Sequence, residues 1–183
     1  AVTIAAQDPA NPPRLSSLTI SNAQDLIVRG LSVQLVPDAK TVASTSVARV
    51  VASQGVRLQG LTLRGGRAIA GIAQDADPNV PRSGFGDSII GLPIGRGLTL
   101  DRSTEIVVQG CDIGESHKGI FLNNLSGVKI VGNNVHDVRT GTISGAGCSE
   151  IDVIENHLKN SRPWNYGGKG DHGDFIHFWT TTA

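Results

Sequence analysis

The sequence predicts an all-β chain wound as a right-handed parallel β-helix of about five to six coils, and three observations predict it. Five segments align without gaps: 18–33, 48–63, 98–113, 120–135 and 143–158. Each carries two apolar-x-apolar strands and a closing apolar residue, with polar or small residues at the turns between them. Glycine recurs at one corner, as Gly30, Gly60, Gly110 and Gly132.

The first strand of each unit opens on an inward residue: Leu18, Ala48, Leu98, Ile120 and Ile143. The second strand holds the pairs Leu26/Val28, Val56/Leu58, Ile106/Val108, Val128/Ile130 and Ile151/Val153. The third closes on Val33, Leu63, Ile113, Val135 and Leu158. Alternation at i and i+2 puts these side chains on one face of a strand, whereas a helix would scatter them. No single unit can bury such a face, but stacked coils cover one another in a continuous core. The recurrent glycines suit a sharp bend or a positive φ. Asn133 and Asn156 follow that corner, in the column occupied earlier by Cys111, and stacked amides can bond from coil to coil.

Equivalent residues give the coil length. Ile106 to Val128 is 22 residues, Val128 to Ile151 is 23, and Leu26 to Val56 is 30. Val56 to Ile106 is 50 and therefore carries a long inserted loop at about 64–97, rich in glycine and proline and expected to have little regular structure over 64–87. A second long corner loop covers about 159–174. The whole of 1–183 reads as one β-helix domain. A leucine-rich horseshoe needs a helical limb that is not there, and an antiparallel sandwich would not hold one offset through five units.

Composition narrows the partners. The 183 residues carry 16 basic and 16 acidic side chains, so the basic excess that a nucleic acid demands is missing. No apolar run is long enough to span a membrane, and no signal peptide is visible. Cys111 and Cys148 lack the neighbours of a zinc site and read as two free, mostly buried thiols.

The units VKIVGNNVHDV and IDVIENHL resemble the parallel β-helix repeats of bacterial extracellular proteins, the pectate-lyase-like group of polysaccharide lyases and epimerases. Residues 133–182 are similar to a bacterial subgroup with a Gly-Asp-His…Phe-Trp-Thr segment after such repeats. The resemblance implies a secreted or cell-surface location and a polysaccharide partner. The chain departs from the group in two ways: the Asp-Pro-His signature of alginate epimerases is absent, with Asp171-His172-Gly173 only a rough likeness of it, and the pectate-lyase arginine motif is missing.

Extending the lattice to DFIHFWT starts a sixth first strand with Ile176 inward. His177 then stands beside Ser144 and Phe121, Trp179 beside Ala146 and Asn123, and Asp174 beside Gly141 and Lys118. Arg139 is followed by His172. The expected catalytic group is therefore His177, His172, Asp174, Lys118, Arg139 and Tyr166. The expected sugar-binding group is Trp179, Trp164, Arg162 and Phe121. For lyase or C5-epimerase chemistry, a cation (Lys118 or Arg139) acidifies the C5 proton of a uronate. His177 or His172 removes it, Tyr166 supplies a proton, and Asp174 orients a histidine. Asp171 and Asp174 are candidates for calcium, but two carboxylates alone fall short of its six to eight oxygens. The alternative is a non-catalytic surface protein, an adhesin or tailspike-like spike binding glycans or partner subunits. No second or third strand follows 175–179, so further coils or a partner subunit are expected to cover that end.

Overall fold

The computed structural model describes residues 1–69, 91–163, 165–166, 169–170 and 173–180, with 165–166 and 169–170 described by backbone alone. The chain forms a parallel β-helix with three sheets of six strands each. Sheet one stacks Leu18–Ser21, Ser46–Val51, Arg96–Asp101, Lys118–Asn123, Ile143–Ala146 and Ile176–Trp179. Sheet two stacks Val2–Ala5, Leu26–Arg29, Arg57–Gln59, Val107–Gln109, Ser126–Val131 and Ser149–Ile154. Sheet three stacks Arg14–Leu15, Ser32–Gln34, Thr62–Arg64, Asp112–Gly114, Asn134–Val138 and His157–Ser161. Every pairing within these sheets is parallel, with the right-handed winding that a twisted strand favours in parallel crossovers.

The inward columns are those read from the sequence. Leu18 pairs with Ala48, Ala48 with Leu98, Leu98 with Ile120, Ile120 with Ile143, and Ile143 with Ile176. Val33, Leu63, Ile113 and Val135 are fully buried in the third sheet's column. Each such aliphatic side chain contributes about 1.5–3 kcal/mol through burial, which stacking supplies without aromatic bulk. A half coil at the start, Val2–Ala5 with Arg14–Leu15, was not read from the sequence. Its Val2 and Ile4 are exposed, and so are Ile176 and Phe178 in the last strand.

Two kinds of corner hold the coils. Between sheets two and three, Gly30, Gly60, Gly110 and Gly132 all sit at positive φ, and Glu155 takes the same conformation in the last full coil. The next column runs Leu31, Leu61, Cys111, Asn133, Asn156. Asn133 is buried and donates from Nδ2 to the Val108 carbonyl (3.0 Å) and to Asn156 Oδ1 (2.8 Å), while its Oδ1 accepts from the Cys111 N–H (2.8 Å). Between sheets one and two, each coil spends two left-handed residues, such as Asn22 with Asp25, Ala52 with Gly55, and Arg102 with Glu105. Most of these are not glycine, so that corner is set by the ladder bonds around it, and its residue types vary.

The long connections leave from the remaining corner, between sheets three and one: Gln34 to Ser46, Arg64 to Arg96 and Ser161 to Ile176. The inserted segment has a short regular element at its base. Gly66–Arg67 pairs antiparallel with Pro93–Ile94, so a short ribbon ties its ends together over a small cluster of Ala68 and Ile94. Residues 70–90 lie outside the described residues. In the later connection, Asn165–Tyr166 pairs antiparallel with Lys169–Gly170.

Candidate functional site

Outward residues of sheet one alternate with the buried ones and stack into columns one strand spacing apart. One column runs Thr19, Arg49, Thr99, Phe121, Ser144, His177. A second runs Ser21, Val51, Asp101, Asn123, Ala146, Trp179. A third contains Ser46, Arg96 and Lys118. Asp174 continues that side of the sheet, its carbonyl accepting from the Thr142 N–H.

On the last coils these columns gather an aromatic and ionisable cluster. His177 Nδ1 lies 3.0 Å from Asp174 Oδ2. The His177 and Trp179 rings meet edge to face, with centroids 5.2 Å apart. Phe121 lies 6.3 Å from Trp179, tilted by 42°. The Arg96 guanidinium stands 4.0 Å over the Phe121 ring, a cation–π contact. Beneath them, Ser144 and Ala146 form a buried floor of small residues, and among the described residues the Ser144 hydroxyl has no hydrogen-bond partner.

The chemistry follows from these contacts. Asp174 is an acceptor, so in the neutral imidazole the contact favours the tautomer with the proton on Nδ1 and the lone pair on Nε2. Trp179 offers an apolar face of the kind that stacks on a sugar ring. Burial lowers the affinity of Arg96 for its proton, and among the described residues its Nε finds no hydrogen-bond partner. Sequence reasoning missed Arg96. The signal was present, because Arg96 occupies the outward position two residues before Leu98, as Lys118 does before Ile120.

The other expected residues fall in different places. Lys118 is half-buried on the same face, in register with Arg96. Arg139 is placed by different contacts among the described residues. It is 3% exposed, points Nη1 toward the Pro93 carbonyl (3.5 Å), and lines a separate pocket of about 220 Å³ with Arg67, Leu92, Asp137 and Arg162. Arg162 lines the same pocket, with its Nη2 3.5 Å from Asp137 Oδ1. Trp164, Asp171, His172 and the side chain of Tyr166 lie outside the described residues.

Other polar residues serve the coil stack. His136 lies within reach of two carboxylates, Asp137 Oδ2 at 2.7 Å and Asp112 Oδ1 at 3.1 Å. Asp112 also pairs with Arg64 and accepts from Asn134. Cys111 and Cys148 are both free. Burial pushes the Cys111 thiol up to about 11.

Fold and surface together define a parallel β-helix repeat protein with one ionisable and aromatic outer face. A family model described as periplasmic copper-binding protein (NosD) matches residues 82–183, and the chain belongs to that family. Among solved structures, a candidate glycosyl hydrolase from Parabacteroides merdae ATCC 43184 is similar at 8% identity, over 90% of this chain and 82% of that one, with a TM-score of 0.34. QnrB1, a plasmid-mediated fluoroquinolone resistance protein, is similar at 9% identity over 79% and 69%, with a TM-score of 0.18. Both likenesses are too loose to bear on function. No curated protein matches the chain.

Proposed function

We propose that the outer face of sheet one binds an acidic polysaccharide outside the cytoplasm, and that His177 is the base of a lyase or C5-epimerase reaction there. The observation that carries this reading is the His177–Asp174 contact at 3.0 Å with Trp179 against the same imidazole. With its Nδ1 proton held by Asp174, His177 presents Nε2 to a uronate ring resting on Trp179 and Phe121. Nε2 takes the C5 proton, and the electron pair moves toward the carboxylate. Arg96 and Lys118 supply positive charge that stabilises the resulting dianion. Expulsion of the O4 substituent gives elimination and an unsaturated end; reprotonation on the opposite face of C5 gives the epimer.

The family's description names copper. Among the described residues, no three His, Cys, Asp or Glu side chains converge as a metal site. Cys111 is buried with its thiol held protonated, and both ring nitrogens of His136 already face carboxylates. The described residues therefore do not fit a copper centre, and no step is derived through one. Calcium gains nothing either, since Asp174 is engaged by His177 and Asp171 lies outside the described residues.

The test is incubation with polygalacturonate and with alginate, following ultraviolet absorbance of unsaturated ends and the C5 configuration by NMR. Wild-type protein is expected to give one signal or the other. His177→Ala is expected to lose it by at least about 100-fold, the usual worth of a positioned base. Binding of uronan without any product would instead favour the non-catalytic glycan-binding reading, which the half-exposed side chains of His177 and Asp174 also suit.

A further inference from the structure

A cavity of about 260 Å³ opens on the same face, on the coils before the platform, and what it would bind rests on the polysaccharide reading above. Its floor is built from buried polar residues. Asp101 is 7% exposed, and its carboxylate accepts from Arg49 Nη2 at 3.0 Å and from Asn123 Nδ2 at 2.8 Å, with Arg102 at 3.2 Å. Burial alone would raise this carboxyl, but the Asn123 and Arg49 hydrogen bonds and the two arginine charges take it below the ordinary carboxylate value, so it is anionic at neutral pH. Thr99 is 6% exposed and shares a 2.7 Å hydrogen bond with Ser46. The wall is Arg96, standing over Phe121.

This inventory points to a ligand class. Two guanidinium groups, Arg49 and Arg96, line the cavity with one carboxylate, Asp101, which Arg102 also pairs, so the local charge is positive. Fixed hydroxyl, amide and carboxylate groups beside an aromatic ring match the mixed donors and acceptors of a sugar. A sugar that carries its own carboxylate meets both conditions. A compact inorganic anion meets the charge but would leave the aromatic wall and the hydroxyl pair unused.

We propose that this cavity is a distal uronate subsite and that the polymer runs along the solenoid axis from it to His177. The ladder Thr99, Phe121, Ser144, His177 spans three strand spacings, about 14 Å. One sugar ring cannot bridge that distance, whereas an oligosaccharide can. Phe121 is the shared wall, with Arg96 on one side and Trp179 on the other. The consequence is a dependence on chain length, set by Arg49, Asp101 and Arg96 rather than by the His177–Asp174 pair.

Calorimetric titration with galacturonate and mannuronate oligomers, as disaccharide and hexasaccharide, tests this. For the wild type, the matching hexasaccharide is expected to bind at least tenfold more tightly than its disaccharide. Arg49→Gln, at a side chain 45% exposed, is expected to remove most of that ratio. Thr99→Val, which takes a hydroxyl from the floor and nearly keeps the side chain's shape, is expected to act in the same direction. Equal binding of both lengths by the wild type, or an unchanged ratio in both variants, would overturn the distal subsite. The polysaccharide reading is scored separately, by product formation with polymer and its loss in His177→Ala. Failure of every oligomer to bind the wild type would overturn both.

Discussion

Asn133 Nδ2 donates to Asn156 Oδ1 at 2.8 Å, one coil further along the solenoid. The same Asn156 oxygen accepts from the Asn133 backbone N–H at 2.9 Å, and Asn156 Nδ2 reaches back to the Ile130 carbonyl at 2.7 Å. A single amide column thereby satisfies backbone groups on neighbouring coils at a corner where the strand ladder cannot. Truncation at Asn133 would leave the Cys111 N–H without its partner in a buried site. Asn133→Ala is expected to cost about 2–3 kcal/mol, read from urea unfolding, because a buried donor left unmade carries its full desolvation penalty. A loss below about 0.5 kcal/mol would show that the column is not a structural tie.

Two glycines separate the effect of crowding from that of backbone conformation. At Gly119 a Cβ would overlap the Thr142 carbonyl oxygen of the next coil and Val135 Cγ1. At Gly132 a Cβ meets nothing within 4 Å, but φ is +62°. Gly132→Ala is expected to cost about 1–2 kcal/mol, the left-handed penalty alone. Gly119→Ala is expected to cost more, because backbone must shift between coils. Thermal melts of the two variants give the order directly, and the reverse order would refute it.

The thiols should differ in reactivity. Cys111 is 2% exposed and its thiol is pushed up to about 11, whereas Cys148 is only partly buried. At pH 8, a thiol reagent is expected to modify Cys148 in the folded protein and Cys111 only on unfolding. Mass spectrometry of the labelled peptides distinguishes them, and prompt labelling of Cys111 in the native state would contradict its place in the core.

Stability should fall on the acid side. Burial pulls Asp101 and Asp112 upward, but their hydrogen bonds and cationic neighbours leave both below the ordinary 3.8. Asp137 is lowered chiefly by its hydrogen bond with His136. Depressed carboxyls bind fewer protons in the folded state than in the unfolded one. Their contribution is complete above the unfolded value near pH 4 and disappears as pH falls through the folded values. Urea midpoints are expected to hold from pH 7 to about pH 5 and to drop below pH 4. Asp101→Asn should flatten that drop, and an unchanged slope would remove Asp101 from the account.

Register was the most legible property of this chain. Period-2 alternation fixes which side of a strand faces inward, and a repeat fixes which residues stack, so pairs such as Ser144 with His177 follow from counting. What counting misses lies at corners and in unrepeated segments. Arg139 sits where the chain turns from sheet three to sheet one, and its Nη1 lies 3.5 Å from the Pro93 carbonyl of an inserted segment that no repeat predicts. Arg96 is legible by the same count, in the column that holds Lys118 one coil later. The half coil at Val2–Ala5 and Arg14–Leu15 has no internal copy close enough to align, and its exposed valine and isoleucine give no burial signal.

The three long connections share one corner, and the strands on either side of them keep their register through it. The ladder thus behaves as a ruler whose graduations are indifferent to what hangs between the marks at that edge. Segments of different length can be exchanged there without moving any other coil, so a foreign peptide spliced between Arg64 and Arg96 would be displayed at a known height above the platform. Length variation at this edge can change what the protein grips while leaving its spine untouched.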